Sequence, residues 1–310
     1  MFRNYRGEIF LAFGALAFGF NGTVSKLVLE SGLSAWRLTE VRASGAFVLM
    51  LIFGIIRYGK KLKIKRHEII KFIFFGIIGF SAVNAFYFLS IARLKVSIAL
   101  IVEFTSPIWI ALWLRYVRKK NVSKLMWWGL SIGIIGMVLL AQVWQGLKLD
   151  GLGLFYALLD AFAMTAYFLL GENIGSKYQS PFMMVWGLGI SALAFAIFLP
   201  WNSFPFHIFT DHINLEGRFA HHTVAGWVPI LWIILMGTVF PYICVLNGLL
   251  ALSASTSSVI GMLEPIFAGI FAWWWLGEKF NGLQLLGGLI VLVGIYLADK
   301  SKHLAPTKSA

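Results

Sequence analysis

Long apolar runs, broken by short polar or basic stretches, fill this chain almost from end to end. Reading each run between charges and helix breakers predicts helices over about 8–29, 36–56, 69–91, 96–116 and 124–143. A second series follows over about 152–173, 182–200, 227–250, 256–276 and 283–298. Each is near the ~20 residues that cross a bilayer. Asn281 with Gln284 reads as a cap and capping-box partner opening the last helix. Gly146, Asp150 and Gly151 mark a joint between two halves, 7–143 and 151–299.

The halves repeat one another. Arg93–Ala141 lies over Ala251–Asp299 without a gap at an offset of 158, bringing Ser97 onto Ser255 and Pro107 onto Pro265. Gly129 falls on Gly287 and Gly136 on Gly294. Duplicated apolar units are a common construction of secondary transporters, with the substrate site between the repeats.

Composition narrows the class. Hydrophobic residues make up 59% of the 310 and charged residues 13%, about half the ~25% of a soluble domain. The fold class is therefore an all-α polytopic membrane protein. A net charge of +13 raises nucleic acid as a partner, but the basic residues concentrate in Arg57–Lys71 and Arg115–Lys124, between spans. Such placement is that of cytoplasmic loops. Putting the N-terminus inside leaves most of the 26 Lys and Arg on the cytoplasmic side. Five spans per half is odd, so the second unit enters the membrane inverted, and both termini are cytoplasmic.

Other features change less. The single cysteine, Cys244, excludes an intrachain disulfide and serves as a small packing residue. The N-terminal run extends too far for a removed signal peptide. The polar interruption 201–226 holds His207, His212, His221, His222, Asp211 and Glu216. No ligand spacing orders them, so the segment reads as a solvated interfacial loop, and neither metal nor cofactor is expected. Trp273–Trp275 reads as an interface belt. Gly129 and Gly133 form GxxxG, which serves either a homodimer or close packing within one bundle.

Ionisable residues at membrane depth are functional candidates by default. Glu103, Asp160 and Glu264 are the three carboxylates so placed. Pro107 removes the backbone partner of the Glu103 carbonyl, and Pro265 repeats the kink in the second half. The offset sets Ser106 opposite Glu264 and Gly261 opposite Glu103, so the kink repeats while the acid does not. Asn84 and Tyr87, three apart, share a helix face. With Asn21, Trp109 and Tyr156 they complete a candidate solute cavity of hydrogen-bonding and aromatic groups. Arg42, almost two turns inside its helix, is expected to snorkel to the outer interface.

On the segment LEPIFAGIFAWWWLGE (Leu263–Glu278), the glycine-rich helix after it and the weaker first copy FTSPIWIALWLRYVRKK, the chain resembles the drug/metabolite transporter superfamily, specifically EamA-type proteins. The likeness covers about Gly7 to Lys300. The first copy lacks the LGE ending, which applies to Leu276, Gly277 and Glu278 alone. The resemblance implies ten helices in two inverted five-helix repeats around a central cavity. It also implies carriage, often export, of amino acids, related metabolites or drug-like solutes.

The function expected is export of amino acids or similar metabolites across the bacterial inner membrane by alternating access. A nucleotide-sugar or phosphorylated-sugar exchanger would need several cationic groups at depth, where only Arg42 is a candidate. An intramembrane enzyme is the rival class, without a GxSxG or HExxH motif to support it.

Overall fold

The computed structural model describes residues 5–59, 62–142, 150–277, 279 and 281–301. Glu278 and most of the joint between halves, 143–149, lie outside them. Ten helices are long and apolar enough to cross a membrane: α1 Arg6–Glu30, α2 Ala35–Tyr58, α3 Arg66–Ile91, α4 Val96–Tyr116 and α5 Lys124–Ala141. They continue as α6 Gly151–Gly175, α7 Ser180–Phe198, α8 Trp227–Ala251, α9 Ala254–Leu276 and α10 Gly282–Lys300. Every predicted span is present, with ends shifted by no more than three residues. The reason is simple: in hydrocarbon each backbone polar group must be satisfied within its own segment, so apolar runs of this length become helices.

Local signals set the ends. Ser34 accepts from Arg37 N–H, Ser123 from Met126 N–H and Asp150 from Gly153 N–H at the starts of α2, α5 and α6. Asn281 and Gln284 close a reciprocal capping box on α10. Exposed Ile52, Ile55 and Ile56 on α2, and Leu285, Leu289 and Val293 on α10, form the outer apolar surface. That surface suits lipid rather than water.

The two repeats are inverted, and the α5–α10 contact makes this visible. A Cβ on Gly129 would meet the Gly294 carbonyl at 2.8 Å, and one on Gly136 would meet the Gly287 carbonyl at 2.8 Å. Gly287 and Gly294 are the repeat equivalents of Gly129 and Gly136. The contact is therefore isologous, each position meeting the mate of the other. As α5 advances, its partner position on α10 retreats, so the helices are antiparallel and the two-fold axis lies in the membrane plane. The glycines of the GxxxG motif are spent on this internal contact, where small residues let backbones touch.

The same axis relates other features. The interface of α1 with α8 is matched by that of α6 with α3, and α2 packs on α7. Helix α4 is broken between Val96–Glu103 and Ser106–Tyr116, and α9 between Ala254–Gly261 and Glu264–Phe271. Both starts and the end of the first half match at the offset of 158. Pro107 and Pro265 open the second halves, where a missing N–H costs least. An i→i+5 bonded segment interrupts α3 at Phe75–Ala82, and another interrupts α8 at Leu235–Val239, again at equivalent places. Wide turns of this kind often accompany functional sites.

The 201–226 segment departs from the solvated loop expected of it. It folds as a cap with short 3₁₀ turns and an antiparallel hairpin, β1 His212–Asn214 on β2 Thr223–Ala225. Phe204, Ile208 and Ile213 bury beneath it, which is what holds it in place. Trp275 donates to the Leu215 carbonyl at 2.7 Å, so it anchors the cap instead of joining Trp273 and Trp274 at the exposed surface. His207 bonds Asp211 at 2.7 Å, and no metal-competent cluster occurs among the described residues.

Candidate functional site

The broken helices and wide turns converge at the middle of the bundle. Breaking α4 after Glu103 and restarting α9 at Glu264 carries both carboxyl groups into the interior, 3% and 9% exposed. Asp160, on α6 and 1% exposed, joins them. Glu103 interacts electrostatically with both Asp160 and Glu264, and Glu264 with Arg42. One oxygen of Glu103 and one of Asp160 have no hydrogen-bond partner among the described residues.

Arg42 corrects the expectation of snorkelling. It is 3% exposed, and its guanidinium donates from Nε to Thr238 Oγ1 at 2.6 Å and from Nη2 to the Gly237 carbonyl at 2.5 Å. The wide turn of α8 presents those acceptors, because i→i+5 bonding leaves carbonyls off the regular ladder. The rings of Phe18, Phe88 and Tyr242 face the cation at 5.9, 5.4 and 5.9 Å. Arg42 takes part in none of the ion pairs formed among the described residues. Burying an ion costs several kcal/mol. Charged hydrogen bonds of about 1.5–3 kcal/mol each and ring contacts of ~0.5–2 kcal/mol each offset that cost.

Asn84 donates through Nδ2 to the Phe80 carbonyl at 2.6 Å and to the Tyr242 hydroxyl at 2.9 Å. Tyr242 is the repeat equivalent of Asn84, 158 residues on, so this bond crosses the two-fold axis. Tyr87 is buried, interacts electrostatically with all three carboxylates and with Arg42, and approaches Gly22 with its hydroxyl. Asn21 is 2% exposed, lies against Gly237 and leaves its Oδ1 unpartnered.

Of the sequence candidates, Asn21, Asn84, Tyr87, Glu103, Asp160 and Glu264 come together. Trp109 and Tyr156 do not. The Trp109 indole bonds Thr105 Oγ1 within its own helix at 3.2 Å and packs on the exposed Phe162, while Tyr156 stacks on Phe86. The sequence reading missed Tyr242 and Ser257. Carrying the offset back from Arg93 to Asn84 reaches Tyr242 directly; nothing comparable marks Ser257.

A cavity of about 40 Å³ opens beside the cluster, with Glu264, Tyr167, Tyr242, Ser257, Phe18 and Phe104 in its wall. It has room for a few waters and falls far below the ~300 Å³ at which small-molecule pockets begin. Its wall residues Tyr167, Tyr242 and Ser257 are buried. At the α6 C-terminal end, Glu172 accepts from Arg118 at 2.5 Å and from the Ala254 N–H at 3.0 Å, tying α4 and α9 to α6. At the opposite face Lys26 of α1 donates to the Ile91 carbonyl ending α3 at 2.8 Å. Arg37 reaches the cap there, bonding Ser203 at 2.6 Å and Glu40 at 2.7 Å. On the cap, burial and the neighbouring Glu30 carboxyl push Glu216 above the usual carboxylate range.

Comparison with known proteins agrees with this architecture. The EamA-like transporter family model matches twice, over residues 5–142 and 151–298. The chain is similar to an uncharacterized inner membrane transporter, YicL, of Salmonella typhimurium, at 22% identity across 94% of each chain. It is also similar to the threonine/homoserine exporter RhtA of Escherichia coli, at 25% identity over 84% of this chain and 78% of that one. A solved crystal structure shares the fold with a TM-score of 0.68 at 14% identity, covering 94% of this chain and 99% of that one. Two matched halves, ten spans and one axis through a buried polar cluster lead to one conclusion: this multi-pass membrane protein belongs to the EamA-like transporter family.

Proposed function

We propose that the protein is a secondary transporter that exports amino acids or related small organic metabolites across the bacterial inner membrane, with both termini cytoplasmic. The observation that carries this reading is the cavity at the two-fold axis, flanked by broken helices, with side-chain ties between helices at either end. A solute site placed between inverted repeats is reached from either side when one repeat rocks against the other. The carboxylates of Glu103, Asp160 and Glu264, with Asn21, Asn84 and Tyr87, supply the polar groups of that site. Trp109 and Tyr156 keep a secondary part, as walls of the α4–α6 and α3–α6 contacts. Pro107 and Pro265 shape the breaks. The similarity to a threonine/homoserine exporter supports amino acids as cargo.

Under this reading Glu172 with Arg118 and Ala254 forms the cytoplasmic closure, and Lys26 with Ile91 and the cap forms the outer one. Each must part once per cycle. The halves 7–143 and 151–299 are the moving units, joined near Asp150. Neither metal nor cofactor enters the scheme, and the solute emerges chemically unchanged, unlike the product of an intramembrane enzyme. A single buried cation among the described residues, already bonded to backbone and threonine, argues against nucleotide-sugar exchange.

The test is counterflow in proteoliposomes loaded with unlabelled amino acids. Saturable uptake of the labelled solute against its own gradient is expected. Flux without saturation or exchange indicates a channel, and a converted product indicates an enzyme; either overturns the proposal.

A further inference from the structure

We infer that the central cavity takes its solute by an ammonium group, held by Glu264 with Glu103 and Asp160 behind it, and that a carboxylate on the solute is dispensable. This rests on the transport reading above and adds the chemical handle. The only ionisable acid or base among the cavity-wall residues, phenols aside, is Glu264. Tyr167 and Ser257, 1% and 0% exposed, each present a hydroxyl oxygen with no hydrogen-bond partner among the described residues. An ammonium offers three donors and no acceptor. One carboxylate and two idle hydroxyl oxygens around one cavity match that demand.

The rings point the same way. Phe18, Tyr167 and Tyr242 line the cavity, Phe18 edge-on to Tyr242 at 5.2 Å and Tyr167 likewise at 5.8 Å. Aromatic walls attract a cation and give nothing comparable to an anion. Three carboxyl groups share the cluster with one guanidinium. Arg42 is the obvious rival, as a receptor for a solute carboxylate. It stands outside the cavity wall, with Nε and Nη2 bonded to α8 and three rings around it. It positions α8 against α2, and its charge stands behind the rings rather than in the solute's path.

The experiment compares matched triplets on the full-length purified protein, by binding and by proteoliposome counterflow. The probes are leucine, isoamylamine and isocaproate, then phenylalanine, phenethylamine and phenylpropionate. The amino acid and the amine are expected to bind and exchange, with the carboxylic acid at least about tenfold weaker, the scale of one charge-assisted bond. Glu264→Gln is expected to weaken amine binding by at least about tenfold. Should that variant fail to fold, the discrimination by the unaltered protein decides alone. Exchange of the acids as good as that of the amines overturns the ammonium assignment and leaves transport standing. Exchange of no triplet member in any form overturns both.

Discussion

The Asn84 amide donates to the Tyr242 phenol at 2.9 Å, and the two residues are each other's counterparts in the inverted repeats. Only positions near a two-fold axis can touch their own mates. This bond therefore locates the axis of the molecule within the polar cluster, and it also joins α3 and α8, the helices that carry the pair of equivalent wide turns.

Removing that bond should weaken the joint between repeats. Tyr242→Phe is expected to cost about 1 kcal/mol, the usual net worth of one hydrogen bond. Asn84→Leu should cost more, since it also leaves the Phe80 carbonyl without its side-chain donor. A double-mutant cycle read by unfolding in detergent should give a coupling energy of at least ~0.5 kcal/mol. Additive losses would mean the bond contributes nothing across the axis.

The glycine contact makes a sharper contrast. A Cβ on Gly136 would meet the Val291 N at 2.6 Å, which is backbone and cannot turn aside. Gly136→Ala should destabilise by about 1–3 kcal/mol, as overpacking does. Gly288→Ala, whose nearest neighbour is a Leu140 methyl at 4.0 Å, should be neutral or slightly stabilising. Equal effects of the two variants on the unfolding midpoint would refute the assigned α5–α10 register.

Acid sensitivity is predicted at the start of α6. The Gly153 N–H bonded to Asp150, helped by Arg93, holds that carboxyl below its usual range. A carboxyl lowered on folding adds stability above its unfolded value near ~3.9, and that stability is lost as pH falls through the lower folded value. Asp150→Asn keeps an oxygen to cap the helix but carries no charge. Its unfolding midpoint should fall less than that of the unaltered protein as pH drops below about 4. Parallel acid curves would count against the ionised cap.

The proposed cytoplasmic closure should loosen when Glu172 is changed. Glu172→Gln keeps the shape but loses the charge that binds Arg118 and the Ala254 N–H. Amide exchange over Ala254–Thr256 should accelerate several-fold, while exchange in the α5–α10 contact stays as it was. Unchanged exchange at Ala254 would remove Glu172 from the gate.

Much of this architecture is readable before folding, because hydrocarbon admits few alternatives. The ten spans, the α10 capping box and the paired prolines follow from runs, spacing and offset. Which faces meet does not follow, since it depends on side chains brought from other helices. Arg42 reads as a snorkelling residue until α8 supplies the wide turn that receives it. Trp109 and Tyr156 share types and depth with the cluster residues, yet their helix faces point toward Phe162 and Phe86. The hairpin at 212–225 hides in a polar stretch whose three-residue strands are too short to show a pattern. Tyr242 is the exception, legible from Asn84 once the repeat offset is extended one helix further.

Alternating access to one cavity is the central claim, and Ser257 tests it most directly because it lines that cavity and is fully buried. Ser257→Cys, made in a Cys244→Ser background and reconstituted in oriented vesicles, is to be exposed to a membrane-impermeant thiol reagent from each side in turn. The account predicts labelling from both faces, with the transported solute slowing both. Labelling confined to one face under every condition would contradict it.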